Sequence, residues 1–273
     1  MSKLIKTPLR YPGGKSRLAD LLTDLMPGYF KEYREPFLGG GSVFLTAKQK
    51  YPDAKYWVND LYYDLWCFWT ASQTSMSDVA DTVSYLRETY AENGKQLHED
   101  LVSAMNDPEN RLDVTWLAAA FFAMNRITFS GTSLSGGYSQ ESFDKRFTKS
   151  SIDRLKLIEP LLKDVNITNL DFEELIKAPG DDVFIFLDPP YWTATKSALY
   201  GKNGELHKGF DHERLAEDLK NCPHKWMMTY DNCDYIKDLY KDYNIIDHEF
   251  AYGMRNAVKG NDMTGKEILI TNY

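Results

Sequence analysis

Two rhythms of apolar residues run along this chain. Val183-Phe184-Ile185-Phe186-Leu187 is a continuous apolar run, and its β-branched and aromatic content predicts a strand buried on both faces. Similar runs at 55–58, 165–170, 226–230, 245–252 and 267–273 predict further strands. Helical spacing marks other segments. Residues 15–26 carry leucines at 18, 21, 22 and 25 and stop at Pro27-Gly28, a helix with its terminator. Residues 42–50 and 172–177 predict two more, and between 61 and 162 helical patterns dominate, at 60–71, 78–91, 96–106, 114–126 and 151–162. Only 128–142, rich in Ser, Gly and Thr, is irregular there. Near the start, Glu35-Pro36-Phe37 runs into Gly39-Gly40-Gly41, then a helix, then a strand delivering Asn59-Asp60. Strand, glycine turn, helix, strand and acid open a doubly wound α/β fold. The expected organisation is an α/β domain from 1–60 and 163–273, with helices on both faces of its sheet, interrupted by a helical insert at 61–162.

Composition changes this picture little. At 273 residues, 43% apolar and 26% charged, the chain can build a real core. No run approaches the roughly 18–20 apolar residues of a membrane span, and Met1 to Lys6 lacks the apolar centre of a signal peptide. Three unpatterned cysteines fit a reducing cytosol, and five histidines without ligand spacing give no reason to expect a metal. The net charge of −8 argues against a wholly basic coat protein, while Arg10, Lys15, Lys145, Arg146, Lys149 and Arg154 are compatible with one positive face.

The chemistry concentrates after the apolar run. Asp188-Pro189-Pro190-Tyr191 follows it directly. Both prolines lack an N–H and end the strand. The sequence therefore sets an acid, proline-flanked carbonyls and an aromatic ring at a strand's carboxyl end, where open α/β sheets bind ligands. Such a set suits a flat ring bearing an amino group. Gly39 to Gly41 permit positive φ and close approach of a ligand, but Phe44 stands where a dinucleotide fingerprint needs glycine. Asp60 lies about where an acid meets ribose hydroxyls in such folds; a helix cap is its plainer role. Gly14-Lys15-Ser16 is not a phosphate loop, because Leu9 occupies the position of that motif's first glycine.

Arg10-Tyr11-Pro12-Gly13-Gly14-Lys15, Glu35 to Phe44 and Asp188 to Tyr191, in this order, are similar to the motifs of the Dam-like, or D12 class, DNA adenine-N6 methyltransferases of the α group. The final Lys266 to Tyr273 also resembles that family's last strand. The resemblance implies a Rossmann-like S-adenosylmethionine-dependent methyltransferase sheet with an inserted helical DNA-recognition domain. It implies S-adenosylmethionine as cofactor, with Tyr11, Gly13, Gly14, Lys15, Phe37, Gly39, Gly41, Asp60, Asp171, Phe172 and Asp188 contacting it. Taken alone, Asp171 serves equally to cap the helix at 172–177. Asp188, Pro189, Pro190 and Tyr191 would be catalytic, acting on a flipped-out adenine.

Asn125-Arg126 resembles the family's entry to its recognition loop, and Arg10 stands at a basic position near a base. Arg126, Lys145, Arg146 and Lys149 are candidates for phosphate contact. Beyond Gly131 the insert departs from the family's pattern for a GATC site, so no recognition sequence is implied. The expected partner is double-stranded DNA, met by a monomer in the cytoplasm of a bacterium or a phage host, with a cognate restriction endonuclease left open. Two alternatives stand beside this reading: an amino-methyltransferase of RNA adenine or cytosine N4, and a nucleic-acid-binding relative without catalysis.

Overall fold

A computed structural model describes residues 4–193, 209–247 and 267–273. Its centre is a seven-stranded sheet of β1 (Glu32–Glu35), β2 (Lys55–Asn59), β3 (Val165–Thr168), β4 (Val183–Leu187), β5 (Lys225–Asp231), β6 (Asn244–Asp247) and β7 (Glu267–Thr271), in the order β3-β2-β1-β4-β5-β7-β6. Strands β1 to β5 pair in parallel, whereas β7 runs antiparallel between β5 and β6. The strand order reverses between β1 and β4, which opens a crevice at their carboxyl ends.

The run at 183–187 is β4, and all five of its residues are buried. Its alternation divides the core. Phe184 and Phe186 pack on one face with α1 (Ala19–Asp24), α2 (Ser42–Lys50) and α3 (Tyr63–Thr74). Val183, Ile185 and Leu187 pack on the other with α10 (Phe172–Lys177), α11 (His212–Lys220) and α12 (Asp234–Leu239). Truncating either phenylalanine to alanine is expected to cost about 3–5 kcal/mol.

The helices between β2 and β3 continue as α4 (Met76–Thr89), α5 (Gly94–Asn106), α6 (Val114–Ile127), α7 (Gln140–Arg146), α8 (Lys149–Lys156) and α9 (Glu159–Leu162). Their apolar residues join the first sheet face in one continuous core. The first helix after β2, α3, even packs on the glycine turn, with the Trp69 indole N–H donating to Gly39 O at 3.1 Å.

Several elements differ from expectation. The helix expected at 151–162 divides into α8 and α9, because Pro160 sits in the first turn of α9 and cannot donate within α8. Residues 12–17 form turns, not the start of α1. The irregular stretch holds two short 3₁₀ turns and a bridge pairing Thr128 with Tyr138. Helices α7, α11 and α12 were not expected; Ser139 and Asp211 cap the first two. Of the strand expected at 245–252, residues 245–247 fall in β6 and the remainder lies outside the described residues. The buried Arg34 on β1 donates to the carbonyls of Leu175, Ala178 and Pro179. A cation there satisfies the open carbonyl end of α10 and favours its dipole, which ties that end of the helix to β1.

Candidate active site

A cavity of about 550 Å³ occupies the crevice at the carboxyl ends of β1 and β4. Every residue expected to serve catalysis or the cofactor lines it: Tyr11, Gly13, Gly14 and Lys15 from the first loop, Phe37, Gly39 and Gly41 from the glycine turn, Asp60, Asp171 and Phe172 after β2 and β3, and Asp188 to Tyr191 after β4. The glycine turn is shaped by what leans on it. Gly39 and Gly41 have φ of +50° and +65°, and a Cβ on Gly40 would stand 2.7 Å from the Tyr11 Cβ. Asp60 closes the turn, accepting from Gly39 N at 2.7 Å and Tyr62 N at 2.9 Å. Burial pushes its carboxyl up to about 6, against the pull of those two N–H groups.

Opposite the turn, Phe37, Phe172 and Phe210 form a three-ring wall with centroids 5.5–5.6 Å apart. Asp171 caps α10 by accepting from Glu173 N and also takes Arg214 Nη2 at 2.7 Å on both oxygens. Burial raises its carboxyl, but Arg214 and the N–H outweigh this and hold it below its ordinary value. The Arg214 guanidinium lies 4.3 Å from the Phe172 ring centroid.

At the mouth, Asp188 Oδ1 meets Lys15 Nζ at 2.9 Å, the Thr229 hydroxyl at 2.7 Å and the Tyr191 hydroxyl at 3.3 Å. Lys15 also donates to Tyr191 Oη at 2.8 Å and reaches Glu267 at 3.5 Å. Burial lowers the Lys15 ammonium, yet Asp188 and Glu267 together hold it above its ordinary value. The Tyr191 ring stacks on Tyr230, centroids 5.9 Å apart.

The residues expected to contact DNA lie outside this cavity. Asn125 is fully buried. Its amide clamps the first loop, accepting from Arg10 N at 3.0 Å and donating to Arg10 O at 2.6 Å and Gly131 O at 2.9 Å. The Asn125 amide, expected to contact DNA, is engaged here with backbone groups of Arg10 and Gly131. The Arg10 guanidinium donates to Thr128 O and Ser142 Oγ. Arg126 is 5% exposed, with its guanidinium 5.0 Å from the Phe122 ring centroid and no partner for Nε among the described residues. Burial, followed by repulsion from Arg154, Arg10 and Arg146, pushes it down to about 9. Lys145 is exposed and pairs with Glu141, and Lys149 is exposed at the start of α8.

A family model described as D12 class N6 adenine-specific DNA methyltransferase matches residues 11–254. The chain belongs to that family. A type II methyltransferase of Lactococcus lactis subsp. cremoris is 27% identical across 97% of this chain and 94% of its own length. Another, from Methanocaldococcus jannaschii, is 26% identical across 98% and 99%. A DNA adenine methylase of Vibrio cholerae serotype O1 is 25% identical across 72% and 70%. The protein is thus an adenine-specific DNA methyltransferase that draws its methyl group from S-adenosylmethionine, and the RNA and cytosine-N4 alternatives fall away.

The cavity of this methyltransferase suits that donor. Glu35, Asp60, Asp171, Asp188 and Asp211 outnumber Lys15 and Arg214 in its lining, which favours a cationic ligand, and the phenylalanine wall offers faces to a purine. The sequence reading missed several parts. Glu35 is 2% exposed on the cavity, accepts from the Tyr33 hydroxyl, and is held well above its ordinary value by burial. A carboxylate between a strand and the Pro-Phe pair was a usable signal. Phe210, Arg214, Thr229 and Glu267 reach the methyltransferase site only through tertiary packing, and no local pattern announced them.

Proposed function

We propose that Asp188 and the Pro189 carbonyl accept the two N–H groups of a target adenine's exocyclic amine while the Tyr191 ring takes the face of the base. The amine is a poor nucleophile because its lone pair is delocalised into the ring. Holding both protons lets the nitrogen pyramidalise, and charge-assisted bonds of this kind are the strong ones. S-adenosylmethionine, when bound, supplies an electrophilic methyl group. Gly39, Gly41 and Glu35 would hold its methionine part, Asp60 its ribose hydroxyls, and Phe37, Phe172 and Phe210 its purine. Tyr11, Gly13 and Gly14 would close the glycine turn over it. Lys15 belongs to both halves of the site, since it ties Asp188 and Tyr191 to the first loop.

One observation carries this reading: Asp188 stands at the end of the central strand, at the mouth of an acid-lined cavity, with Oδ1 engaged by three protein groups. The base must leave the duplex at a cost of a few kcal/mol, and stacking on an aromatic ring returns about 1–3 kcal/mol. Asp188→Ala should retain S-adenosylhomocysteine binding by calorimetry while transfer of a labelled methyl group falls by at least about 100-fold. Transfer at near the parental rate would exclude the assigned mechanism.

The insert at 61–162 would be the DNA-recognition part. Arg10 and Arg126, whose charges are opposed by burial and by their neighbours Arg146 and Arg154, suit backbone phosphates of double-stranded DNA, with Lys145 and Lys149 beside them. Asn125 would act by fixing Arg10. The type II designation of the relatives supports a cognate endonuclease. Resistance of co-expressing cells' DNA to digestion, with methylation-aware sequencing, would name it and the site. A monomer in the cytoplasm completes the reading; no helix among the described residues is long and apolar enough to cross a membrane.

A further inference from the structure

We propose that the carboxyl end of β5, Thr229-Tyr230-Asp231, is a positioning template for the catalytic segment 188–193. Three consecutive residues each hold a different part of it. The register explains the first contact: Leu187 pairs with Met228 in the parallel ladder, so Asp188 and Thr229, one step on, emerge on the same face. There the fully buried Thr229 hydroxyl donates to Asp188 Oδ1 at 2.7 Å. Tyr230 stacks its ring on Tyr191 and pairs its own hydroxyl with His212 Nδ1.

The third contact replaces a ladder that the sequence forbids. Pro189 and Pro190 stop β4, so the N–H groups that follow cannot continue pairing with β5. Asp231, 4% exposed, takes them instead, accepting from Trp192 N at 3.1 Å and Thr193 N at 2.8 Å. A buried carboxylate is costly unless hydrogen-bonded, and these two N–H groups are its side-chain partners among the described residues. Its position fixes the chain where it leaves Tyr191. Thr229 thus sets the rotamer of the Asp188 carboxylate, and Asp231 sets the backbone that carries the Tyr191 ring.

This inference rests on the assignment of Asp188 and Tyr191 as the groups that meet the base. Thr229→Val removes the hydroxyl at constant shape. Its single-turnover rate should fall about 10- to 100-fold, the loss of one hydrogen bond to a charged group, with KM for DNA and S-adenosylhomocysteine affinity unchanged. Thr229→Ser should restore most of the rate. Asp231→Asn, whose amide presents one acceptor in place of two, should lower the 2-aminopurine flipping signal as well as the rate. Crystal structures of both variants test the placement without relying on turnover: an altered Asp188 rotamer in Thr229→Val and a shifted 191–193 backbone in Asp231→Asn are expected. Unchanged geometry in both would overturn the template, as would parental rates in both. Loss of cofactor affinity and thermal midpoint in step with the rate would reduce these residues to structural packing and overturn it too. If the parental enzyme methylates no adenine, the crystallographic readout still decides the placement and the functional assignment alone fails.

Discussion

The cavity and the arginine cluster treat charge in opposite ways. In the cavity, Asp188 is met by Lys15, Asp171 by Arg214, and Asp60 by two backbone N–H groups. Around Arg126, burial and the positive charges of Arg154, Arg10 and Arg146 all work against the guanidinium's own charge. A site built for a small ligand is preorganised by internal partners. Cations that crowd one another cost the free protein stability, which a polyanionic ligand would relieve. The two regions meet in one short loop: Arg10 is pinned by Asn125 in the insert, while Lys15, five residues on, reaches Asp188.

The largest expected effect breaks the catalytic side alone. Asp188→Ala should lower single-turnover methylation by on the order of 100- to 1,000-fold or more, as removing a preorganised charged group does, with DNA affinity close to parental in a filter-binding assay. Arg126→Met breaks the other side with two effects of opposite sign. DNA affinity should fall roughly 10- to 100-fold and the log–log salt slope shrink by about 1. Thermal stability should rise, by about 1 kcal/mol, because a buried cation without an anion is gone. A variant that lost both affinity and stability would mean that Arg126 has a structural partner in the free protein.

Asp60 sharpens the contrast through pH. Its folded carboxyl titrates at about 6, above its ordinary 3.8, so the native state holds the proton more tightly than the unfolded chain. Its contribution to stability is fully present below 3.8 and is lost as the pH rises through about 6. Cofactor affinity should run the other way, because ribose hydroxyls donate best to the ionised acid. S-adenosylhomocysteine binding followed by calorimetry from pH 5 to 8 should weaken below about 6, and Asp60→Asn should flatten that profile. The smallest effect belongs to Tyr191→Phe, which keeps the ring and its stacking on Tyr230 but loses the hydroxyl between Lys15 and Asp188. A rate decrease of about 3- to 10-fold is expected in the same single-turnover assay, the scale of one ordinary hydrogen bond.

What the sequence revealed divides along the same line. β4, its two prolines and the glycine turn were legible because each is specified locally, by a run of apolar residues, a missing N–H and a demand for positive φ. Helix α11 was overlooked although Leu215 and Leu219 mark its buried face, since charged residues of both signs fill most of the segment. The Asn125 clamp joins residues 115 apart, and Arg34 caps a helix 141 residues away. Such bonds leave no periodic trace. Burial was the least legible feature between 61 and 162, because a sequence names a cation without saying whether water reaches it. Thr229 and Asp231 were hidden differently: their meaning depends on the register of β5 against a strand that stops early.

The placement of β7 also has a consequence for synthesis. It lies between β5 and β6 and carries Glu267 to the far side of Lys15. While a ribosome still holds residues 267–271, β5 has no partner on that edge and β6 has nothing to pair with. The positioning strand of the active site is then an open edge. The edge that holds Asp188 is therefore complete only once β7 has slid between two strands that precede it in the chain. Until that insertion, Lys15 also lacks Glu267, one of the two carboxylates that hold its charge.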